Sequence, residues 1–307
     1  MWPKKRFFSV PPLSEAVTLA DEIRFSVFND GARKNGYCDL VEICRQGGFF
    51  PERHDGGFGE TSHDALLVPR LDGSFKILVD PLPKSELSTS KDIARHRNRF
   101  RIAHEIGHSF FYDRNKNPPR RLTQSSVGEE AFCDEFASAL LVPRTAVLGI
   151  QPAASSVFLL QHDYDVSAEV AARALAKAYP TVSVVGMMWL PNPNTGVYGM
   201  RVVWADGPRF IPQIARLHSS AINRATTGGE AEGVEQLSVG ELRGRFSISA
   251  ARPKGRKQMI AVLTPAADDA AYQQNSGGHM DGVLPFEEGE PSDSKQTKNA
   301  RTATLQS

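Results

Sequence analysis

The chain has 307 residues, 40% hydrophobic and 23% charged, with a formal net charge of +1. That length allows one large domain or two small ones. A near-neutral balance gives no general pull toward nucleic acid or an anionic membrane, and no apolar run approaches the ~20 residues that span a bilayer.

The segment from Met1 to Pro12 has a basic patch but no long apolar core, so it does not read as a secretory signal. Cys38, Cys44 and Cys133 are odd in number and lack metal-knuckle spacing. They suit reduced thiols in a cytoplasmic protein. A first helix is expected from Pro12-Leu13-Ser14, with Ser14 as cap and Ala16, Leu19, Ala20, Ile23 and Val27 at helical spacing. Residues 30–36 read as a loop, and Leu40–Cys44 begins a second helix. Gly47-Gly48 and the run from Asp55 to Gly59 mark turns and a candidate flap. His54 and His63, near those turns, read as surface histidines. Ala65–Val68 and Phe75–Val79 read as a hairpin whose edge would accept a substrate peptide by strand addition.

His104-Glu105-Ile106-Gly107-His108 is an H-E-x-x-H pattern. Residues four apart on a helix lie on one face, a turn apart, so both imidazoles would point at one spot. Phe100, Ala103, Gly107 and Phe111 flank them on one side, and Ile102, Ile106 and Phe110 cover the other. A helix apolar on both faces is buried, and buried histidines need partners. Zinc suits imidazole nitrogen, and catalytic zinc takes three protein ligands plus a water. Glu105 would take a proton from that water and return it to the leaving amine.

The third ligand is expected just downstream. Ser126 and Glu129 form a capping-box start, and Pro143 ends the helix. Cys133, Ala137, Leu140 and Leu141 make its apolar stripe, and Glu130 and Asp134 lie a turn apart along its edge. Glu130 is the natural third ligand, and Asp134 would accept a hydrogen bond from a ligand histidine. Glu129 is the alternative ligand, although its position suits the cap. Arg114–Leu122, between the two helices, reads as a basic, solvated loop, with a rim of the cleft as the alternative.

These two stretches, Arg99–His108 and Glu129–Pro143, resemble the ImmA/IrrE-type zinc metallopeptidases. The family's mark is a helix ending in H-E-x-x-H, then a second helix with a ligand glutamate and a closing A-x-x-L-L-V-P-like run. Aligned on Pro143, the family's ligand glutamate falls on Glu130 and its following Asn or Asp on Asp134. The resemblance implies a zincin-like α/β (α+β) domain binding Zn2+ through His104, His108 and Glu130. It also implies a protein substrate: a helix-turn-helix repressor of a mobile-element or stress response. The competing reading is a non-proteolytic, zinc-stabilised regulator that binds protein or DNA. A purely structural site has no need of Glu105.

After Pro143 a helix pair is expected, about Ala154–His162 and Ala168–Tyr179 with Ser167 as cap. Its alanine-rich second helix favours packing over reading DNA bases. Val182–Trp189 and Val197–Ala205 read as a hairpin, followed by a helix near Gln213–Arg224 and a loop over Thr226–Gly233. Phe246–Ser249 and Gln258–Leu263 read as a second hairpin, with Arg243, Arg245, Arg252, Lys254, Arg256 and Lys257 as a basic cluster. That cluster gives direct nucleic-acid binding weak support. The expected domains are a peptidase domain over 1–180, a small mixed α/β domain over 181–265 and a disordered tail over 266–307. Some members of the resembled family place a GAF-like sensor where the second domain falls.

Overall fold

A computed structural model describes residues 2–28, 36–55, 58, 64–79 and 91–266. His63, most of the expected loop over 30–36, most of the candidate flap and all but Ala266 of the expected tail lie outside the described residues.

Helix α1 (Leu13–Phe28) buries Ala16, Leu19, Ala20 and Ile23. It starts one residue before Ser14, so Ser14 lies in its first turn and not at the cap. Helix α2 (Leu40–Gly47) is capped by Asp39, whose side chain accepts from Val41 N and Glu42 N. Gly48, in the left-handed region at φ 71°, ends it. The chain then enters a strand that the sequence reading missed, β1 (Phe49–Arg53). The expected hairpin forms from β2 (Ala65–Pro69) and β3 (Phe75–Val79). In the resulting sheet, of order β1-β3-β2, β1 runs parallel and β2 antiparallel to the central β3. Among the described residues, strand β2 is therefore an edge.

Helix α3 (Lys91–His108) packs on this sheet and ends at the second histidine of the motif. A 3-10 turn (Ser109–Phe111) drives Phe110 and Phe111 into the core. The chain then makes a short antiparallel pair, β4 (Tyr112–Asp113) with β5 (Arg120–Arg121). The expected solvated loop is thus partly structural. Arg114 lies over the rings of Trp2, Phe49 and Phe75 at 5.8, 5.3 and 5.2 Å, and donates to Gly47 O. Helix α4 (Val127–Leu141) begins as expected: Ser126 accepts from Glu129 N at 3.2 Å. It packs against both α1 and α3. After the short α5 (Arg144–Val147) come α6 (Ala154–Tyr164) and α7 (Ala168–Ala178), the expected pair. The alanines of α7 are buried, so it packs and offers no base-reading face.

The remaining residues build one antiparallel sheet of order β7-β6-β10-β9-β8. Its strands are β6 (Ser183–Pro191), β7 (Tyr198–Asp206), β8 (Gly229–Val239), β9 (Leu242–Arg252) and β10 (Gln258–Pro265). Two expectations fail here. The helix between β7 and β8 is only α8 (Ser220–Ala225), because Val202 exchanges backbone bonds with Ile214 and Ala215 and holds the start of that segment in a non-helical turn against β7. The expected loop over Thr226–Gly233 runs into strand β8. One face of the sheet covers α6 and α7; the other carries α8 over a separate core of Val185, Met187, Phe246, Ile248 and Met259. The fold is α+β, with eight helices among the described residues.

Candidate metal centre

The helical spacing of His104 and His108 brings their Nε2 atoms to 3.1 Å of each other. Glu130 reaches across from α4: its Oε2 is 3.2 Å from His104 Nε2 and its Oε1 is 3.6 Å from His108 Nε2. Gly107 permits this approach. A Cβ there would sit 3.2 Å from each of Cys133 Cα, Cys133 Sγ and Phe136 Cδ1, so the missing methyl is what lets α3 lie on α4.

Each imidazole turns Nε2 inward because a carboxylate holds Nδ1. His104 Nδ1–H donates to Asp134 Oδ1 at 2.8 Å, and His108 Nδ1–H donates to Glu129 Oε1 at 2.6 Å. The second contact corrects the sequence reading of Glu129. Its backbone takes the Ser126 cap, but its side chain is fully buried and faces His108, not the helix end. Arg121 Nη2 binds both Glu129 oxygens at 2.5 and 2.7 Å and so neutralises the buried charge. Glu129 and Arg121 are the site residues that sequence reasoning missed. The signal available was a pair of adjacent acids at a helix start, one of which faces inward. Arg121 Nη1 also reaches the Tyr112 hydroxyl at 3.4 Å, which brings that phenol to the wall of the cleft.

Glu105 is buried beside the edge strand, where the Leu67 N–H bonds to its carboxylate. Burial pushes its pKa up, against the pull of the two histidines. Glu130 is held well below the usual carboxylate range by the His108 and His104 imidazoles beside it. At His108 burial opposes the charged form, but the neighbouring Cys133, the Glu129 hydrogen bond and the Glu130 carboxylate outweigh it and raise its pKa. The cluster therefore attracts positive charge to its centre. These groups line an open cleft of about 400 Å³, walled by Leu66, Leu67, Phe100, Tyr112, Arg121 and Arg101, which pairs with Asp64 at 2.5 Å.

The donor set fits zinc. Bonds of about 2.0–2.1 Å in a tetrahedron put ligand atoms about 3.3 Å apart; here the two imidazole nitrogens are 3.1 Å apart, and one Glu130 oxygen is 3.2 Å from the first and the other oxygen 3.6 Å from the second. Cys133 Sγ, together with one nitrogen of each histidine, forms a second grouping within 4.8 Å. Glu130 is the better donor: it is held anionic, whereas burial raises the Cys133 thiol to about 11.

Residues 89–176 match the model of the IrrE N-terminal-like domain, Peptidase_M78. The match supports an ImmA/IrrE-type, zincin-like metallopeptidase domain over that segment. No curated protein matches the chain. A solved structure described as a Mycobacterium tuberculosis transcriptional regulator is similar over 87% of this chain and 82% of its own, at 10% identity and a TM-score of 0.44. A likeness that distant decides nothing about activity. Among the described residues, no helix is long and apolar enough to cross a membrane.

Proposed function

We propose that this chain is a zinc-dependent endopeptidase that cuts one DNA-binding regulator. The observation that carries the reading is the convergence of His104, His108 and Glu130 at tetrahedral spacing, beside a buried carboxylate in an open cleft. His104, His108 and Glu130 hold the metal. Asp134 and Glu129 orient the two imidazoles. When bound, zinc supplies a Lewis acid that polarises a carbonyl and acidifies water. Glu105 accepts the proton from the attacking water and delivers it to the leaving amine; its raised pKa brings it closer to neutrality, as a general base requires. The edge of β2 offers backbone groups to an extended peptide, with Leu66 and Leu67 on the cleft wall.

An extended linker of a helix-turn-helix repressor can lie along that edge, whereas a folded domain cannot. Cleavage there would switch on the genes of a mobile element or a stress response. The C-terminal sheet, about residues 181–265, is then a second domain that positions the repressor or senses the inducing condition in the manner of a GAF-like module. Its separate core supports the assignment. The odd, buried cysteines suit a cytoplasmic setting.

The test is metal analysis, then incubation with casein and with a helix-turn-helix protein encoded beside this chain, read by mass spectrometry. One zinc per chain and a single cut in the repressor are expected. Rapid casein degradation at many sites, with the repressor left intact, rules the reading out.

A further inference from the structure

The basic cluster of the C-terminal segment is not one patch in the fold. Arg243 and Arg245 lie near the start of β9, and Lys254, Arg256 and Lys257 lie beyond its other end. At about 3.3 Å per residue the two groups are roughly 30 Å apart. The second group has aromatic neighbours that the sequence order hides.

On the α8 face of the sheet, Val202, Met187 and Met259 lie side by side on β7, β6 and β10 and are buried, with Ala250 of β9 on the same face. Side chains two residues apart on a strand share a face. Further out on that face, beyond the part α8 covers, Trp189 and Lys257 follow Met187 and Met259, Tyr198 lies diagonally beyond Trp189 on β7, and Arg252 lies back beside Met259 on β9. The register agrees, with Trp189 opposite Met200 and Gln258 opposite Met188, so Lys257 follows beside Trp189. Tyr198 is 61% and Trp189 56% exposed. Lys254, Arg256 and Lys257 are exposed on the adjoining turn. Neither Ser183–Ala205 nor Leu242–Pro265 contains an acidic residue. Glu230 and Glu232 of β8 pair with Ala251 and Ser249, and so lie on the opposite face. Among the described residues, these four cations form no ion pair.

We propose that this end of the sheet binds single-stranded nucleic acid, with bases stacked on Tyr198 and Trp189 and phosphates on Lys254, Arg256 and Lys257. Tyr198, Trp189 and Lys257 span two strand spacings, about 10 Å, with Tyr198 a further two residues out along the strand, enough for a short run of unpaired nucleotides on an open surface. Exposed rings beside cations take any base by its π-face, whereas a duplex keeps its base faces covered. A bilayer fits less well, because the polar Asn192–Gly196 turn projects past the rings and would have to enter first. An acidic peptide has use for the cations but leaves both rings exposed.

The test is fluorescence anisotropy of a labelled oligothymidylate with the full chain, against a duplex of equal length and phosphatidylserine vesicles. Single-strand binding is expected at low salt, with a log–log salt slope of about −2 for three phosphate contacts. Trp189→Ala and Tyr198→Ala should each weaken binding about tenfold, and charge reversal at Lys254, Arg256 and Lys257 should abolish it. Unchanged thermal midpoints identify variants that fold. Quenching of Trp189 fluorescence on binding gives a readout free of substitution, taken as the part of the wild-type signal lost in Trp189→Phe. The proposal is overturned by absence of saturable binding at low salt, by equal affinity for the duplex, by ring variants that bind like wild type, or by association with vesicles alone.

Discussion

At the scale of single residues, the two glutamates at the start of α4 divide the labour between them. Glu130 turns toward the imidazole nitrogens, and Glu129 turns under His108. Glu130→Ala is expected to lose most zinc. Glu129→Gln should keep the shape of the site but lower zinc affinity about 10- to 100-fold, because a neutral amide replaces a carboxylate at Nδ1. Competition with a chromophoric chelator measures both, and wild-type affinity in Glu129→Gln would show that its charge is idle. Glu105→Gln should leave the zinc content of the wild type and remove cleavage, since Glu105 moves a proton and binds no metal. A Glu105→Gln protein that still cuts at the wild-type rate would sink the proposed mechanism.

Helices α3 and α4 meet where Gly107 faces Cys133 and Phe136. Gly107→Val should force the helices apart, cost about 1–3 kcal/mol as an overpacked site and lower zinc affinity at the same time. Thermal melts with and without chelator separate the two effects. The other end of α3 is tied by His96, whose Nε2 lies 3.0 Å from Asp165 Oδ1 in the left-handed turn between α6 and α7. Arg95 pairs with the same carboxylate at 2.6 Å and with Asp92 at 3.4 Å, and Arg99 Nε approaches it at 3.7 Å. Burial lowers the His96 pKa from 6.5, and the Asp165 hydrogen bond only partly offsets it. A histidine held below its unfolded value binds its proton more readily in the unfolded chain. Stability should therefore be fully present above pH 6.5 and fall as the pH drops below it. In urea melts across that range, His96→Gln should flatten this dependence. An identical slope in the variant would assign the pH effect elsewhere.

Across the whole molecule, the two halves are joined by backbone as well as by packing. Helix α6 has Ala153 at its N-cap position, with no side chain to cap it. The Ser249 hydroxyl of β9 supplies the missing acceptor and bonds to Ala154 N at 3.0 Å. Ser249→Ala is expected to cost about 0.5–2 kcal/mol, the usual worth of a cap, even though the serine is 95 residues away in sequence. Denaturant melts measure it, and an unchanged midpoint would mean that water caps the helix as well. Chelation should lower the thermal midpoint of the wild type further than that of Glu130→Ala, because zinc stabilises only the fold that assembles its ligands.

Local spacing was enough to mark the helix-borne part of the site. His104, Glu105 and His108 are ordered by one helical turn, and Glu130 and Asp134 by another, so their shared faces follow from 3.6-residue geometry. The caps at Ser126 and Ser167 and the β2–β3 hairpin were legible for the same reason, since each is set by neighbours a few residues away. The inward turn of Glu129 was not, because it depends on Arg121, which arrives through the β4–β5 pairing. Strand β8 escaped because its glycines and glutamates look like a loop until β9 pairs with it. The grouping of Tyr198, Trp189 and Lys257 exists only through the register of three strands. Contacts within a turn of the chain are decided by the backbone's own period, while pairings across strands and between helices depend on which surfaces the whole fold buries together.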